Sequence, residues 1–402
     1  MKKSLLALAA MGAFAGAAQA QSSVTVYGVL DASYTAIESN STNTAGAKTT
    51  IQNRNTVNGD GALSTSRLGF RGAEDMGGGL SAQFVLEFDL VNLGNGATGD
   101  GGTFATTTGA AGATTSTGRG FGPRYSYIGL SSKELGTLRL GRQETSIHGA
   151  IAANLAGQAN NTLGSLYSSL DSTYQLATAS SPGVRPHNVF IDNAVTFISN
   201  NMSGVTVQLQ TAQNAYSASQ TTASAGVQAS GGSISFTGVN NLRLDAAMIV
   251  EGITTANVNN IKRTTKALGG NYNFGVAQVF ALHTQNKVEN LNATSGQIWQ
   301  DTKLTELGVR APVTKVIGVW GNYFAGTRKN DGTNVTLMSG AAASAALASA
   351  DIKGYQLGTT YAFSKRTTAY GIYGTQKLDG NGAASGAKLD GTMYAVGLRH
   401  TF

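Results

Sequence analysis

The sequence has 402 residues with 53 glycines and no cysteine; 41% of the residues are hydrophobic, only 12% are charged, and the formal net charge is +7. Collagen has glycine at about one position in three, so the composition excludes it, and the charged fraction is half the roughly 25% that is average for cytosolic proteins. A disordered chain would be more charged and less apolar. No run of 18 apolar residues is present, so a transmembrane helix is not expected.

The first twenty residues have the pattern of a secretory signal peptide. Two lysines follow the initial methionine, an apolar stretch comes next, and Ala18-Gln19-Ala20 fits a small-x-small cleavage site. A single membrane-spanning helix is the alternative, but the run is short and does not end in basic residues. We therefore expect residues 1–20 to be removed and residues 21–402 to form one exported domain.

Apolar and polar residues then alternate with a period of two. The alternation is clearest over 24–34, 82–90 and 394–402. Such a pattern over nine or more residues indicates a strand with two different faces. A tilted strand needs about 9–11 residues to cross a bilayer, so these segments have the length of transmembrane strands.

The connections between the strands alternate between short polar turns and long loops rich in Gly, Ser, Thr, Asn and Ala. The turns are predicted at 75–78, 133–136, 200–204, 238–241, 274–276, 312–316 and 364–366, and the loops at 39–61, 93–119, 144–185, 217–226, 255–262, 289–300, 329–350 and 379–389. This arrangement predicts an all-β fold, a 16-stranded antiparallel transmembrane β-barrel with its short turns at one rim. A β-sandwich would have shorter strands and a solenoid a fixed repeat, and the sequence shows neither.

Four motifs occur in a recognisable order along the chain. They are Ser22 to Asp31 (SSVTVYGVLD), Ser66 to Leu80 (SRLGFRGAEDMGGGL), Leu138 to Gln143 (LRLGRQ) and Leu398 to Phe402 (LRHTF). Together they resemble the trimeric general porins of the Neisseria-type and β-proteobacterial class over nearly the whole chain. The resemblance implies an outer-membrane diffusion channel, a homotrimer, and contact with outer-membrane lipid and lipopolysaccharide.

The resemblance also implies that the third loop, 144–185, folds inward and narrows the lumen. Its segment 149–158 is rich in Ala, Ile and Leu and is predicted to form a short helix on the inner wall. An exposed outer loop is the alternative. The loop starts with Glu144-Thr145-Ser146-Ile147-His148, which departs from the aromatic-Thr-Pro start common in the family.

Alternation predicts which charged side chains point into the lumen. Leu68 and Phe70 take the lipid face, so Arg67 and Arg71 point inward, because a charge facing lipid costs about 2–4 kcal/mol at the midplane. The same argument places further charged residues inward or at the start of a strand: Glu87, Asp89, Arg124, Arg139 and Arg185. On the fourth strand, Tyr125 and Tyr127 are predicted to face out.

In the family that the chain resembles, an arginine cluster faces acidic groups across the constriction. This implies such a role for Arg67, Arg124 and Arg185, with Glu87 as an acidic partner and Asp171 as a candidate acid on the loop. Structural salt bridges in the wall are the alternative. Because guanidinium groups stay charged at any working pH, we expect a weak anion preference.

No motif points to catalysis, a cofactor or a metal. The four histidines lack metal-ligand spacing, and the G-x-G-x-x-G match at 94–99 has no helix after it. No sequence motif marks a catalytic serine, although periodicity alone does not exclude one. Lysine and arginine are dispersed, so nucleic acid is not an expected partner. The sequence predicts passive passage of ions and small hydrophilic solutes; a substrate-specific channel and an adhesin or structural barrel are the alternatives.

Overall fold

A computed structural model describes most of the chain. The described residues are 23–43, 45–58, 61–90, 121–160, 162–170, 189–213, 226–254, 260–290, 298–329, 349–381 and 386–402. The predicted signal peptide and two predicted site residues, Asp171 and Arg185, lie outside these ranges.

The described chain is almost entirely antiparallel sheet. Its strands are β1 Ser23–Thr42, β2 Lys48–Asn58, β3 Arg67–Gly77, β4 Leu80–Leu90, β5 Phe121–Ser132, β6 Gly136–Glu144, β7 Phe190–Ser199, β8 Val205–Gln213, β9 Gly226–Phe236, β10 Leu242–Thr254, β11 Asn260–Asn273, β12 Gln278–Asn290, β13 Ile298–Pro312, β14 Ile317–Lys329, β15 Ala350–Ala362, β16 Thr367–Gly380 and β17 Lys388–Thr401. Between β6 and β7, the described residues form two helices, α1 Ser146–Ala153 and α2 Leu166–Leu170. Neither of these two described helices has the length and apolar character to cross a membrane.

The sheet closes on itself through its first and last strands. The ladder between β1 and β17 runs from the pair Val29–Thr401 to the pair Thr42–Lys388. Gly28 and Phe402 add two reciprocal backbone hydrogen bonds of 3.1 Å. Closure removes sheet edges, which have no water to bond to inside a bilayer. The predicted barrel is confirmed.

The 17 strand segments occupy 16 positions around the wall. β2 pairs with the upper part of β1, from Ser33 to Thr42, and β3 pairs with its lower part, from Ser23 to Val29. β2 and β3 therefore share one position, one above the other. The predicted loop 39–61 is thus largely a β-hairpin that extends the barrel, whereas all seven predicted short turns connect neighbouring strands.

Alternation sorts the side chains onto two faces, as predicted. Large apolar residues are exposed on the outer face, for example Val24 at 61%, Ile128 at 59% and Leu398 at 51%. Exposure of apolar side chains in a continuous band is what a surrounding hydrocarbon layer requires. The residues that alternate with them along the same strands face the interior.

The third loop folds into the barrel and carries an apolar core of its own. Its large side chains are essentially inaccessible: Ile147, Ile151, Leu155, Leu163 and Leu166. They pack on the inner wall, where β7 to β11 each contribute an alanine: Ala194, Ala212, Ala229, Ala247 and Ala267. Small wall residues let α1 approach closely. The helix has no capping side chain at its start, so packing stabilises it rather than local signals, and it begins earlier than the predicted 149–158.

Candidate functional site: the constriction

A cavity of ≈ 700 Å³ lies between the third loop and the facing wall. Its charged lining consists of four arginines and two glutamates: Arg67, Arg124, Arg310, Arg399, Glu87 and Glu144. The remaining lining comes from Leu63 and Ser64, from Tyr125, from α1, from the loop segment 156–159 and from β14 to β16. Loop and wall thus narrow the lumen to a passage with charged sides.

A β-bulge places Arg124 in this passage. Tyr125 lies opposite Glu87 and Pro123 opposite Phe88, so Arg124 is an extra residue without a partner in the β4–β5 ladder. Two consecutive side chains, those of Arg124 and Tyr125, then point to the same side, which a regular strand does not allow. The tyrosine hydroxyl donates a hydrogen bond to Glu144.

The prediction that Tyr125 and Tyr127 face out is therefore wrong. The ring of Tyr127 packs against that of Tyr125. The guanidinium carbon of Arg139 lies over the Tyr127 ring, 5.0 Å from the ring centroid. The physical reason is that aromatic rings cover inward guanidinium groups here, whereas the neighbouring outward positions are taken by Ile128 and other aliphatic residues.

Arg124 binds two carboxylates at once. Its Nε lies 2.7 Å from Glu87 Oε1 and its Nη1 lies 3.1 Å from Asp89 Oδ1. Arg67 adds a longer contact, 3.7 Å from its Nε to Glu87 Oε2. Glu87 and Asp89 are 5% and 3% exposed. Within this cluster of Arg67, Arg124, Glu87 and Asp89, positive and negative charges are equal in number.

Two predicted arginines point inward but do not line the cavity. Arg71 lies over the ring of Tyr27, 5.2 Å from the centroid, and Arg139 lies over Tyr127. These contacts stabilise the two guanidinium groups by cation–π attraction. The structure thus brings together Arg67, Glu87, Asp89 and Arg124 and leaves these two arginines apart.

Sequence reasoning missed Arg310 and Arg399 as lining residues. Arg310 donates to the loop carbonyls of Leu155 and Ala156, and Arg399 donates from Nε to Ser64 Oγ at 3.2 Å. Among the described residues, neither contacts a carboxylate within 4 Å. The alternation signal was present for both, since Val309 and Leu398 are outward neighbours.

Side-chain hydrogen bonds fix the third loop to the wall beyond α1. Asn160 and Gln356 bond reciprocally, at 2.7 Å and 3.1 Å, and the Trp320 indole donates to the same Gln356 oxygen at 3.0 Å. Asn154 donates to Asp245 at 2.8 Å. Bonds at both ends of the segment 154–160 hold the loop along the wall.

His148 of α1 lies at the edge of the cavity and is almost fully buried. Burial lowers the pKa of this imidazole, and the nearby Arg124 lowers it further, while Glu144 opposes the shift. Its Nε2 lies 4.0 Å from Glu144 Oε1, and its ring packs against Tyr167. Burial therefore favours the neutral form of the imidazole.

A metal site has no support in the structure so far as it is described. No group of three His, Asp or Glu side chains within the described ranges is arranged to hold an ion. The cavity instead offers fixed guanidinium and carboxylate groups, which act on passing solutes by charge and size.

The family model described as Gram-negative porin matches residues 7–381. The chain belongs to the Gram-negative porin family. This porin is 28% identical to outer membrane porin protein 32 of Delftia acidovorans, with both chains covered completely. It is 37% identical to an outer membrane porin of Bordetella pertussis over 147 residues, a match that spans 34% of that protein.

Solved structures have the same fold. The anion-selective porin from Comamonas acidovorans superposes with a TM-score of 0.67 at 24% identity, over 95% of this porin and 100% of that chain. The trimer form of OmpT from Vibrio cholerae has a TM-score of 0.56 at 12% identity, over 95% and 99%. The protein is thus an outer-membrane diffusion channel whose barrel lumen, narrowed by the third loop, is the passage.

Proposed function

We propose that this porin is a weakly anion-selective, passive channel for ions and small hydrophilic solutes. The observation that supports the selectivity is the charge of the cavity lining, four arginines against two glutamates. Arg310 and Arg399 contribute to the excess without a carboxylate in contact, whereas Arg67 and Arg124 both contact Glu87. Arg124 also contacts Asp89, which lies outside the lining, and Glu144 is the second glutamate of the lining. Rings of fixed charge determine which ions pass such pores.

The reversal potential across a planar bilayer in a salt gradient tests this proposal. We expect the reversal potential of the unaltered porin to have the sign that anion preference gives. Its magnitude should be smaller in Arg310→Gln and in Arg399→Gln. The matched control is Arg142→Gln, because Arg142 pairs with Asp192 outside the cavity lining. A cation preference of the unaltered porin would contradict the proposal.

We also propose that the porin is a homotrimer that binds lipopolysaccharide on its outer face, and that residues 1–20 are a cleaved signal peptide. The trimer form of OmpT supports the assembly by analogy of fold. Three equal conductance steps per insertion and a trimer mass in detergent are the expected results. Sequencing of the mature chain should start at Gln21.

A further inference from the structure

The barrel wall has an interruption beside β1. The ladder with β2 ends at the pair Ser33–Asn58, and the ladder with β3 begins at the pair Val29–Arg67. The segment 61–66, which we call the strap, leaves the wall between these two ladders. Side-chain bonds replace strand pairing here: Ser66 Oγ accepts from Asp31 N at 2.9 Å and donates to Asp31 O at 3.0 Å.

Asp31 holds the strap inside the barrel. Its Oδ2 accepts from Ser64 N at 2.7 Å and from Ser64 Oγ at 3.2 Å, and its Oδ1 accepts from the Tyr370 hydroxyl at 2.5 Å. The side chain of Asp31 is inaccessible to solvent. Burying a carboxylate costs free energy unless the carboxylate is hydrogen-bonded. The three donors therefore stabilise the buried Asp31, and Asp31 in turn holds Ser64 and Tyr370 in position.

The strap also touches the third loop. The carbonyl of Ala62 accepts from Thr162 Oγ1 at 3.1 Å. Ala62 belongs to the same apolar cluster as Ala156 and Trp320, and Leu63 packs against that cluster. Two inward segments from different parts of the chain therefore meet in the lumen.

The strap reaches the passage itself. Leu63 and Ser64 line the cavity, and Ser64 Oγ is the acceptor for the Arg399 guanidinium. A hydrogen-bond chain thus runs from Arg399 through Ser64 to the buried Asp31. Any change that releases Ser64 removes both a part of the cavity wall and the partner that orients Arg399.

We propose that the strap is a second constriction element and that Asp31 is its positioning residue. The strap narrows the passage on the side of β1, while the third loop narrows it from the opposite wall. This inference rests on the proposed function only in that solutes must cross this cavity. It adds a determinant of pore width that does not belong to the third loop.

Single-channel conductance and the size limit for neutral sugars in liposome swelling test the proposal. Asp31→Ala should raise conductance roughly 1.5-fold and admit larger sugars, because conductance follows the narrowest cross-section. Asp31→Asn removes the same charge but keeps an oxygen for Ser64, so its conductance should lie between that of the unaltered porin and that of Asp31→Ala. Asp192→Ala, the same chemical change at an exposed site outside the cavity, should leave conductance unchanged.

A disulfide separates release of the strap from general loosening of the barrel. The chain has no cysteine, so Ala62→Cys with Thr162→Cys gives one possible bond. Added to Asp31→Ala, the oxidised pair should restore the conductance of the unaltered porin, and reduction should raise it again. Should Asp31→Ala not fold, Tyr370→Phe removes one donor to Asp31 and also the acceptor for the strap's Ala62 N, and it should raise conductance less.

The outcomes distinguish the two proposals. Folded Asp31→Ala with the conductance and sugar limit of the unaltered porin, oxidised or reduced, would overturn the role of the strap and leave the channel intact. For Tyr370→Phe, unchanged conductance counts against the strap in the same way. An unaltered porin that forms no channel would instead contradict the proposed function.

Discussion

A single guanidinium, that of Arg124, neutralises two carboxylates beside the passage. Replacing it in Arg124→Gln leaves Glu87 and Asp89 without their closest cation, so negative charge faces the permeating ions. We expect the anion-to-cation permeability ratio to fall roughly twofold or more, measured as the reversal potential in a salt gradient. The charge-balanced variant Arg67→Gln with Glu87→Gln is the control and should change the ratio little. Equal potentials for the unaltered porin and Arg124→Gln would contradict this reading of the cluster.

His148 gives the passage a dependence on pH with a defined sign. Because burial lowers its pKa, the imidazole takes up a proton only below its ordinary value of about 6.5. Protonation adds a positive charge beside the cavity, so anion preference should rise as the pH falls from about 7 to 4. In His148→Asn, the rise in anion preference that comes from this proton should be absent. The reversal potential measured at each pH tests this. A variant whose pH profile superposes on that of the unaltered porin would exclude His148 as the titrating group.

The sequence predicts which face of the wall a side chain lies on only where apolar and polar residues alternate regularly. Arg67, Glu87 and Asp89 point inward because their strands are regular at these positions. Tyr125 and Tyr127 lie on the face opposite to the predicted one, because the bulge at Arg124 adds one residue to β5, and no local feature of the sequence marks that bulge. Arg310 and Arg399 obey the alternation and were predictable, but their lack of a carboxylate partner depends on contacts between distant strands.

At the scale of elements, α1 depends on its packing against the wall. Ile151 is fully buried between α1 and the alanines of β7 to β11. Ile151→Ala should cost about 2–5 kcal/mol of local packing, since a buried isoleucine is replaced by a cavity. The third loop then becomes mobile, and open-channel current noise in bilayers should increase.

The matched control for this prediction is Ile128→Ala, the same substitution on the outer face, where the side chain is 59% exposed. It removes no contact between loop and wall, so the current noise should stay at the level of the unaltered porin. Equal noise in both variants and the unaltered porin would show that the loop does not depend on this packing.

The two inward segments differ in how far the sequence predicts them. The third loop is long and contains an apolar stretch, which indicates a segment that packs apolar side chains against the rest of the protein. The strap is only six residues long, Gly-Ala-Leu-Ser-Thr-Ser, and it begins where the predicted loop 39–61 ends, so its sequence does not distinguish it from a loop end. Its position depends on Asp31 and Tyr370, which lie 339 residues apart in the chain. Such a bond cannot be inferred from neighbouring residues in the sequence.

Across the whole molecule, as far as the side chains of its strands are described, the two basic residue types are separated by face. The arginines of β3, β5, β6, β10, β11, β13 and β17 lie on the inner face or at its rim, where they contact carboxylates, rings, hydroxyls or carbonyls. Lysines lie on the outer face of β11 to β17, towards the long loops; they are Lys262, Lys266, Lys287, Lys303, Lys329, Lys353, Lys377 and Lys388. A flexible lysine can extend its amine to the headgroup layer while its stem stays in the apolar zone.

Lys353 and Lys377 are directly opposite each other on neighbouring strands, which is unfavourable for like charges. Asp379, 3.8 Å from Lys353, and Asp390, opposite Lys377 on β17, offset part of this repulsion. Under the proposed binding of lipopolysaccharide, its phosphates are expected to contact these lysines, and Lys303, which lies two strands away and 3.7 Å from Asp301, extends the patch. The triple variant Lys303→Gln, Lys353→Gln, Lys377→Gln should therefore co-purify with less lipopolysaccharide and gain less thermal stability when it is added. The control replaces three lysines of the short turns, Lys133, Lys315 and Lys365, with glutamine, which removes the same charge from the opposite rim. Both triple variants losing lipopolysaccharide equally would mean that total charge, rather than this patch, attracts the lipid.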